Sequence, residues 1–321
     1  MLLPLALSFC ALAAASPLAQ KYRPLVLWHG LGDSHSSPGM LEFASLIGEM
    51  YPGIFIHSIY IEEDADADRK ATFYGNVNSQ VDMVNEQLND IPELKDGFDA
   101  IGFSQGGQFL RAYVERYNDP PLHNLITFGS QHMGVSEVSE CRRYDFLCQI
   151  ARRAVKNGVY SKWAQENLIQ AQYFRDPSNL ETFLEANHFL TSINNEVAPI
   201  DGRNETYARN LASLEHLVLV LFTKDVTVIP KESAWFGSAA EPDESDDSLT
   251  VMQQKILGSA TRSEETTIIP MRRQPLYLED WIGLRTLDEQ GRVILETCEG
   301  EHMQIGDCWK PLVKKFVGSP A

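Results

Sequence analysis

The sequence predicts an α/β fold in which helices cover a mostly parallel sheet. Short apolar runs alternate with stretches of helical spacing, which is typical of strands joined by helical crossovers. The chain has 321 residues and is 44% apolar, which is enough for a large packed core. A serine set among glycines also stands between an apolar run and a helical stretch, as at a strand-to-helix turn.

Six apolar runs are the candidate strands, at residues 24–29, 54–61, 98–103, 124–129, 216–222 and 292–297. Between the second and third runs, apolar side chains recur with helical spacing from Val77 to Leu88. After the glycines, Phe109, Ala112 and Tyr113 repeat that spacing, so each of these segments is predicted to be a helix packed on the sheet.

Alternation stops between Gln131 and Glu215, where helical stretches occur without a convincing strand. The segment is too long for a loop. We therefore expect a helical insertion over residues 131–215, lying over the carboxyl edge of the sheet, within one domain spanning residues 20–321. An acidic loop is expected at 239–262, and its run EPDESDD is interpreted as solvated.

The first residues predict a secretory leader, residues 1–19. They carry no charge, are apolar for about fifteen residues and end in small residues. That span is too short for a membrane anchor, and we expect no transmembrane segment. The protein is therefore expected in the secretory pathway, in a lysosome or vacuole or outside the cell. The sequon at Asn204 predicts a glycosylated loop.

Four cysteines follow the leader: Cys141, Cys148, Cys298 and Cys308. An even number in an oxidising compartment indicates disulfides. Among the three possible connectivities we favour two local bridges, because the members of the two pairs are only seven and ten residues apart. Neither pair has the C-x-x-C spacing of a zinc or redox site, and no metal or cofactor is expected.

The formal net charge of −17 argues against electrostatic binding to nucleic acid or to anionic lipid. Nucleic acid and anionic lipid both bind proteins that carry clustered Lys and Arg side chains. We therefore expect no nucleic acid among its partners.

The candidate nucleophile is Ser104, in the G-x-S-x-G pattern Gly102-Phe103-Ser104-Gln105-Gly106. A strand is predicted before it and a helix after it, which is the context this motif requires. On such a sharp turn the hydroxyl is exposed, and the free amides at the start of the helix can donate to a developing oxyanion. A five-residue pattern can also arise by chance in a glycine-rich turn, so its partners decide the interpretation.

Chain order selects those partners, because this fold places the acid and then the histidine after the serine. Only His302 lies beyond the last candidate strand, and Asp225 follows the strand 216–222 directly. Asp201 and Asp288 are weaker candidates for the acid because they lie in turn contexts. Taken alone, Asp225 would be a turn or cap carboxylate, but with the other two side chains it predicts a catalytic triad.

The second oxyanion donor is expected in the loop after the first strand, WHGLGD. The backbone amides of Leu31 and Gln105 are the predicted pair. A dinucleotide fingerprint fails in this loop because His35 stands where the third glycine is needed. We interpret His29 as a structural histidine and Asp33 as the cap of the next helix.

Several stretches resemble the lysosomal palmitoyl-protein thioesterase family of α/β-hydrolases. The resemblance runs from about Pro24 to Val317 and includes regions without catalytic residues. The stretches that carry it are WHGLGDS, GFSQGGQFLRAYVERYNDPPLHNLITFGSQHMGV, YSKWAQENLIQAQYFRDP, DVTVIPKESAWFG and PLYLEDWIGL.

The resemblance implies the same triad and oxyanion amides, and a hydrophobic acyl groove built by the 131–215 insertion. It also fits the Cys141–Cys148 bridge and a glycan on Asn204. Gln131 and His132 are expected near the acyl end. Three features depart from animal members: the acidic stretch near 239–262, the Cys298 and Cys308 pair around the base, and Glu301 where an aspartate is expected.

The predicted function is hydrolysis of long-chain fatty acyl thioesters on cysteines of proteins or peptides, through an acyl-enzyme. Two other functions stay open at the level of sequence. An oxygen-ester lipase or esterase shares the triad and the fold, and a lipid-binding protein could use the same scaffold without catalysis. The intact Ser, Asp, His order argues against the second of these.

Overall fold

A six-stranded parallel sheet forms the centre of the computed structural model, which describes residues 21–137, 158–196, 202–241 and 267–320. The strands lie in the spatial order β2-β1-β3-β4-β5-β8, and every neighbouring pair is parallel. Their bounds are β1 Leu25–Trp28, β2 Ile56–Ser58, β3 Phe98–Phe103, β4 Leu122–Phe128, β5 His216–Phe222 and β8 Val293–Cys298. Each overlaps one predicted apolar run, so the predicted α/β class is confirmed.

Helices cover both faces of this sheet because its strands are apolar on both sides. On one face lie α1 (Pro38–Met50) and α11 (Trp309–Phe316), which pack on Leu25 and Leu27. On the opposite face lie α3 (Val77–Asn89) and α4 (Gln105–Arg116), which share a core with Val26 and Trp28. The alternation of neighbouring β1 residues between two cores follows from the two-residue period of a strand.

The described part of the predicted insertion contains short helices. They are α5 Lys162–Asn167, 3₁₀ turns at Ile169–Tyr173 and Pro177–Asn179, α6 Leu180–Ala186, α7 Leu190–Ile193 and α8 Glu205–Leu211. Backbone bridges join Val135 to Phe174 and Tyr74 to Leu168, and within the described residues of 131–215 no strand of the central sheet occurs. The outer bounds of the insertion and of the domain stay predictions.

A second, two-stranded sheet was not predicted. It pairs β6 (Ser238–Ala239) with β7 (Ile268–Ile269) in antiparallel register, with Ala239 opposite Ile268. Two residues per strand are too few to show a period-two pattern, so the sequence carries no signal for it. Most of the predicted acidic loop, residues 242–262, lies outside the described residues, as does the leader.

Other short helices complete the described fold. They are α2 Ala65–Ala71, α9 Pro275–Leu278, α10 Leu284–Glu289 and 3₁₀ turns at Pro92–Leu94, Lys231–Trp235 and Met271–Arg273. Among the described residues, no helix combines the length and apolar character needed to cross a membrane.

The amino end of the sheet holds a polar cluster. Arg23 donates to Asp99 Oδ1 at 3.0 Å and to both carboxylate oxygens of Glu215, also at 3.0 Å. Asn124 donates to Asp99 through its backbone amide and its side-chain nitrogen, and its side-chain oxygen Oδ1 lies 2.8 Å from His216 Nδ1. These contacts join the starts of β3, β4 and β5, at the opposite end of the sheet from Ser104.

Candidate active site

Ser104 lies at the turn between β3 and α4 in a conformation that non-glycine residues seldom adopt. Its φ is 52° and its ψ is −123°. A side chain at positive φ is strained, and such strain persists where the surroundings fix it. The backbone amide of Ser104 donates to Phe128 O at 2.8 Å, which ties the turn to the end of β4. The serine is thereby held at the carboxyl edge of the sheet.

The glycines around Ser104 are required by close approach of the backbone. A Cβ at Gly102 would overlap the Cα of Gly107, and a Cβ at Gly106 would overlap the carbonyl oxygen of Trp28. A Cβ at Gly107 would meet Ser130 Oγ. These glycines therefore allow α4 to begin directly against the ends of β1, β3 and β4, which answers why three of them surround one hydroxyl.

Ser104, His302 and Asp225 form a continuous chain of hydrogen bonds. Ser104 Oγ lies 3.1 Å from His302 Nε2, and His302 Nδ1 lies 2.6 Å from Asp225 Oδ2. The serine is 198 residues from the histidine in sequence, yet all three follow the carboxyl ends of strands β3, β5 and β8. Both distances suit proton transfer from the hydroxyl to an oriented imidazole.

Asp225 is buried and its carboxylate is fixed by the turn that follows it. Its Oδ1 accepts from the backbone amides of Thr227 at 2.8 Å and Val228 at 3.0 Å, which leaves Oδ2 directed at His302. A buried carboxylate with these donors stays in one orientation. The ring it holds is therefore presented to Ser104 through its other nitrogen.

The loop that carries His302 is closed by the Cys298–Cys308 disulfide, one of the two predicted bridges. Cys298 ends β8 and Cys308 precedes α11. Backbone hydrogen bonds from Thr223 to Cys298 and from Lys224 to Gly300 align this loop with the segment that carries Asp225.

Gly129 provides the space that His302 occupies. Its φ is 59°, and a Cβ there would lie 3.1 Å from His302 Cε1 and 3.0 Å from the ring of Phe222. Any larger residue would be strained and would press on the imidazole.

The two predicted oxyanion amides belong to Gln105, directly after Ser104, and to Leu31, in the loop after β1. Gln105 is the first residue of α4, where a helix amide has no partner within the helix. Leu31 belongs to the β1 loop, defined here as residues 29–35, and an added Cβ at its neighbour Gly30 would lie 3.1 Å from Ser104 Cβ. Within the described chain, the Leu31 amide donates no hydrogen bond, whereas Gly32 and Asp33 use theirs.

The two residues expected near the acyl end are both buried. His132 stacks on Phe236 with ring centroids 4.7 Å apart and lies 3.1 Å from Thr127 Oγ1. Burial and the nearby Arg111 charge hold the pKa of His132 well below its usual range, so its ring is neutral. Gln131 accepts a hydrogen bond from Gln108 through its carbonyl. Their contact with an acyl chain stays a prediction.

Other predicted residues have mixed outcomes. Asn204 is exposed and caps the amino end of α8, where its side chain accepts from Thr206 N at 3.0 Å. Its glycosylation stays a prediction. Cys141 and Cys148 lie outside the described residues. The expectation that Asp33 caps α1 is wrong. Ser37 is the cap and accepts from Met40 N, because Asp33 lies too far before the helix and binds Ser34 N instead.

Sequence reasoning missed Asp68 and Thr72, which form hydrogen bonds with the β1 loop. Asp68 lies in the acidic segment EEDADAD, where four other carboxylates are exposed. Nothing in composition or spacing distinguishes the buried acid from its neighbours. Among the described residues, no group of three or more His, Cys, Asp or Glu side chains has an arrangement that could hold a metal ion.

Comparison with known proteins decides the family. A family model described as palmitoyl protein thioesterase matches residues 24–302. The chain belongs to this family. It is similar to palmitoyl-protein thioesterase 1 of Caenorhabditis elegans, with 38% identity over 94% of each chain. It is also similar to palmitoyl-protein thioesterase 3 of Dictyostelium discoideum, with 32% identity over 95% of this chain and 94% of that one.

The chain is also similar to a human lysosomal thioesterase, with 27% identity over 92% of this chain and 86% of that protein. The matched region contains the whole central sheet from β1 to β8. A parallel sheet with a strained serine turn after β3 is the arrangement of an α/β-hydrolase, and the predicted fold class and family are both confirmed.

Proposed function

We propose that the protein is a serine hydrolase that removes long-chain fatty acyl groups, such as palmitate, from S-acylated cysteines of proteins or peptides. The observation that carries this proposal is the hydrogen-bonded series Ser104, His302, Asp225 in a chain of the palmitoyl protein thioesterase family. The geometry of these three side chains supports the catalytic roles that we propose for them.

Acylation begins when His302 Nε2 takes the proton of Ser104 as the hydroxyl attacks the thioester carbonyl. The imidazolium that forms donates to Asp225 through Nδ1, and the 2.6 Å separation of these two atoms stabilises it. Negative charge develops on the carbonyl oxygen of the substrate. The amides of Leu31 and Gln105 hold that oxyanion.

The leaving group is a cysteine thiolate. A thiol has a pKa of roughly 8.5, so it departs with less help from a general acid than an alcohol needs. Most of the barrier then falls to positioning and to oxyanion stabilisation. The imidazolium gives its proton to the departing thiolate, and neutral His302 then activates a water that attacks the acyl-serine. Ser104 Oγ takes the proton back from His302 as the fatty acid is released.

The acyl chain is proposed to lie in a hydrophobic groove built by the insertion, near the start of α4. Tyr173 in the insertion donates to Gln105 Oε1 at 3.2 Å, and Gln170 donates to Thr72 O at 3.3 Å, so this segment packs directly beside the proposed oxyanion hole. Gln131 and His132 are proposed at the acyl end. Each buried methylene contributes about 0.8 kcal/mol, so groove length would select acyl length.

The proposed location is the lysosome or another part of the secretory pathway. The lysosomal relative and the Cys298–Cys308 disulfide support it, because disulfides persist in oxidising compartments. The leader at 1–19 and the glycan on Asn204 belong to the same proposal.

An assay with acyl thioesters of increasing chain length tests the proposed function. Wild type should hydrolyse palmitoyl thioester faster than short-chain thioesters and far faster than a triglyceride. Ser104→Ala should lose about 10⁴-fold or more in kcat. Comparable turnover of the triglyceride would favour an oxygen-ester lipase. Undiminished thioesterase activity in Ser104→Ala would contradict the mechanism.

A further inference from the structure

Asp68, on α2, is a buried carboxylate that the proposed mechanism does not use. Its Oδ2 lies 3.0 Å from His29 Nε2 and 2.9 Å from His35 Nδ1, and it accepts from His35 N at 2.9 Å. Its Oδ1 accepts from Ile61 N at 2.8 Å. A single carboxylate therefore holds both ends of the β1 loop, residues 29–35, and ties them to the segment after β2.

His29 connects this carboxylate to the peptide group that bears the Leu31 amide. Its Nδ1 lies 3.2 Å from Gly30 O, and the Gly30 carbonyl and the Leu31 N–H belong to the same planar peptide. Both ring nitrogens of His29 thus lie close to oxygen atoms, one of the Asp68 carboxylate and one of the Gly30 carbonyl. Fixing the carbonyl side of that peptide also fixes the direction of its N–H.

The end of α2 makes a second set of contacts with the same region. Thr72 Oγ1 accepts from Gly32 N at 2.9 Å. Thr72 O lies 3.3 Å from the side-chain nitrogen of Gln105 and 3.3 Å from that of Gln170. The end of this short helix therefore contacts Gln105 and the Gly32 amide, which is next to Leu31 in the chain.

The electrostatics of Asp68 fit a permanent anchor. Burial pushes its pKa upward, but hydrogen bonds from His29 and from the His35 and Ile61 amides outweigh burial and hold the pKa below its usual range. The group therefore stays ionised in acidic compartments. A carboxylate fully removed from solvent is retained only where several donors satisfy it, as they do here.

We propose that Asp68 is a positioning residue for the oxyanion hole, acting through His29 to orient the Leu31 amide. The inference rests on the proposed function for its substrate, but its mechanism needs only Ser104 chemistry. Displacing an oxyanion donor weakens the transition state more than the ground state, so kcat should fall while KM stays nearly constant.

The test uses Asp68→Asn, which keeps the size of the side chain and removes its charge. The matched control is Asp99→Asn, which changes another fully buried carboxylate, at the amino end of β3. Three quantities are measured on each full-length protein: kcat and KM for palmitoyl thioester, the second-order rate constant for labelling by a fluorophosphonate, and the melting temperature. Labelling reports the oxyanion hole independently of the natural substrate.

Asp68→Asn should lower both kcat and the labelling rate constant by about 10- to 100-fold, with KM within about twofold of wild type. Asp99→Asn should leave both kcat and the labelling rate constant within about twofold of wild type, even if its melting temperature falls as much as that of Asp68→Asn. Labelling of Asp68→Asn at the wild-type rate, or an equal loss in both variants, would overturn the inference.

His29→Gln keeps the test decisive where Asp68→Asn does not fold, since it removes the ring that lies between Asp68 and the Gly30 carbonyl. A loss of about 3- to 10-fold in labelling rate is expected, and an unchanged rate would overturn the inference. Wild type that labels normally but does not hydrolyse palmitoyl thioester would contradict the proposed function alone, because the labelling comparison still decides the role of Asp68.

Discussion

The two ends of the central sheet each bury a carboxylate, and the two carboxylates are held in different ways. At the amino end, Asp99 is paired with a cation, Arg23, and with Asn124. At the carboxyl end, Asp68 is held by two imidazoles and three backbone amides, counting a longer bond from Glu62. The amino end joins strands, whereas the carboxyl end orients a loop beside Ser104.

Their pKa values move in opposite directions. Burial raises the pKa of Asp99 and is only partly offset by Arg23 and Asn124. Burial acts the same way on Asp68, but the hydrogen bonds from His29 and the backbone prevail and its pKa is lowered. The comparison teaches that burial alone does not mark a functional carboxylate. The groups that a buried carboxylate contacts distinguish its role. Variants at the two ends of the sheet should therefore behave differently.

Asp225→Asn should have the largest effect among changes that leave the nucleophile in place. An amide oxygen still accepts from Thr227 and Val228, but the group facing His302 no longer holds its ring or stabilises its charge. We expect a loss of about 10³- to 10⁴-fold in kcat for palmitoyl thioester. Steady-state kinetics measure the loss, with circular dichroism to show an intact fold. A loss below tenfold would contradict the role of Asp225.

Arg23→Gln should affect stability and leave catalysis unchanged. It strands the Asp99 carboxylate without its cation, and breaking such a partly buried pair costs about 2–4 kcal/mol. Urea unfolding measures the free-energy change, and kcat measured below the transition should match wild type. A fall in kcat without loss of stability would show that the two ends are coupled.

Replacing Cys298 and Cys308 together by serine should have an intermediate effect at the carboxyl end. Opening a loop of this length removes about 2–3 kcal/mol of stabilisation in the chain-entropy model. Because His302 lies inside the loop, kcat should fall several-fold as well. Thermal unfolding and thioesterase kinetics on wild type and on the double variant test this. Unchanged kcat would show that strand contacts alone hold His302.

The smallest effect expected is a pH dependence of opposite sign at the two ends. A lowered folded pKa means that the contribution of Asp68 is complete above its ordinary value of 3.8 and is lost as pH falls below it. A raised folded pKa means that the stability contributed by Asp99 grows as pH falls toward its ordinary value of 3.8.

Urea unfolding at several pH values measures this difference for wild type, Asp68→Asn and Asp99→Asn. The advantage of wild type over Asp68→Asn should shrink below about pH 4. The difference in free energy of unfolding between wild type and Asp99→Asn should shift in favour of wild type as the pH falls from neutral to about 4. If the free energy of unfolding changed with pH in the same way in both variants, the opposite pKa shifts of Asp68 and Asp99 would be contradicted.

Much of this architecture follows from local sequence. The β3 and β5 bounds equal the predicted runs because each is a buried, largely apolar strand that ends directly before a polar residue, Ser104 or Thr223. Ser104, Asp225 and His302 were predicted together because strand order alone brings their positions to one edge. That inference needs no side-chain detail.

The sequence could not predict contacts that depend on tertiary packing. Asp68 is one acid among several, and only the approach of the β1 loop makes it the buried one. Gly129 resembles any turn glycine until His302, far along the chain, is packed against it. The cap of α1 depends on where the loop turns, which the spacing of Asp33 and Ser37 does not reveal.

Mapping the fluorophosphonate adduct by peptide mass spectrometry tests the central claim most directly. The account predicts that the label is on Ser104 alone, that Ser104→Ala is not labelled, and that the same variant does not hydrolyse palmitoyl thioester. A label on another residue, or continued labelling and hydrolysis by a folded Ser104→Ala protein, would contradict it.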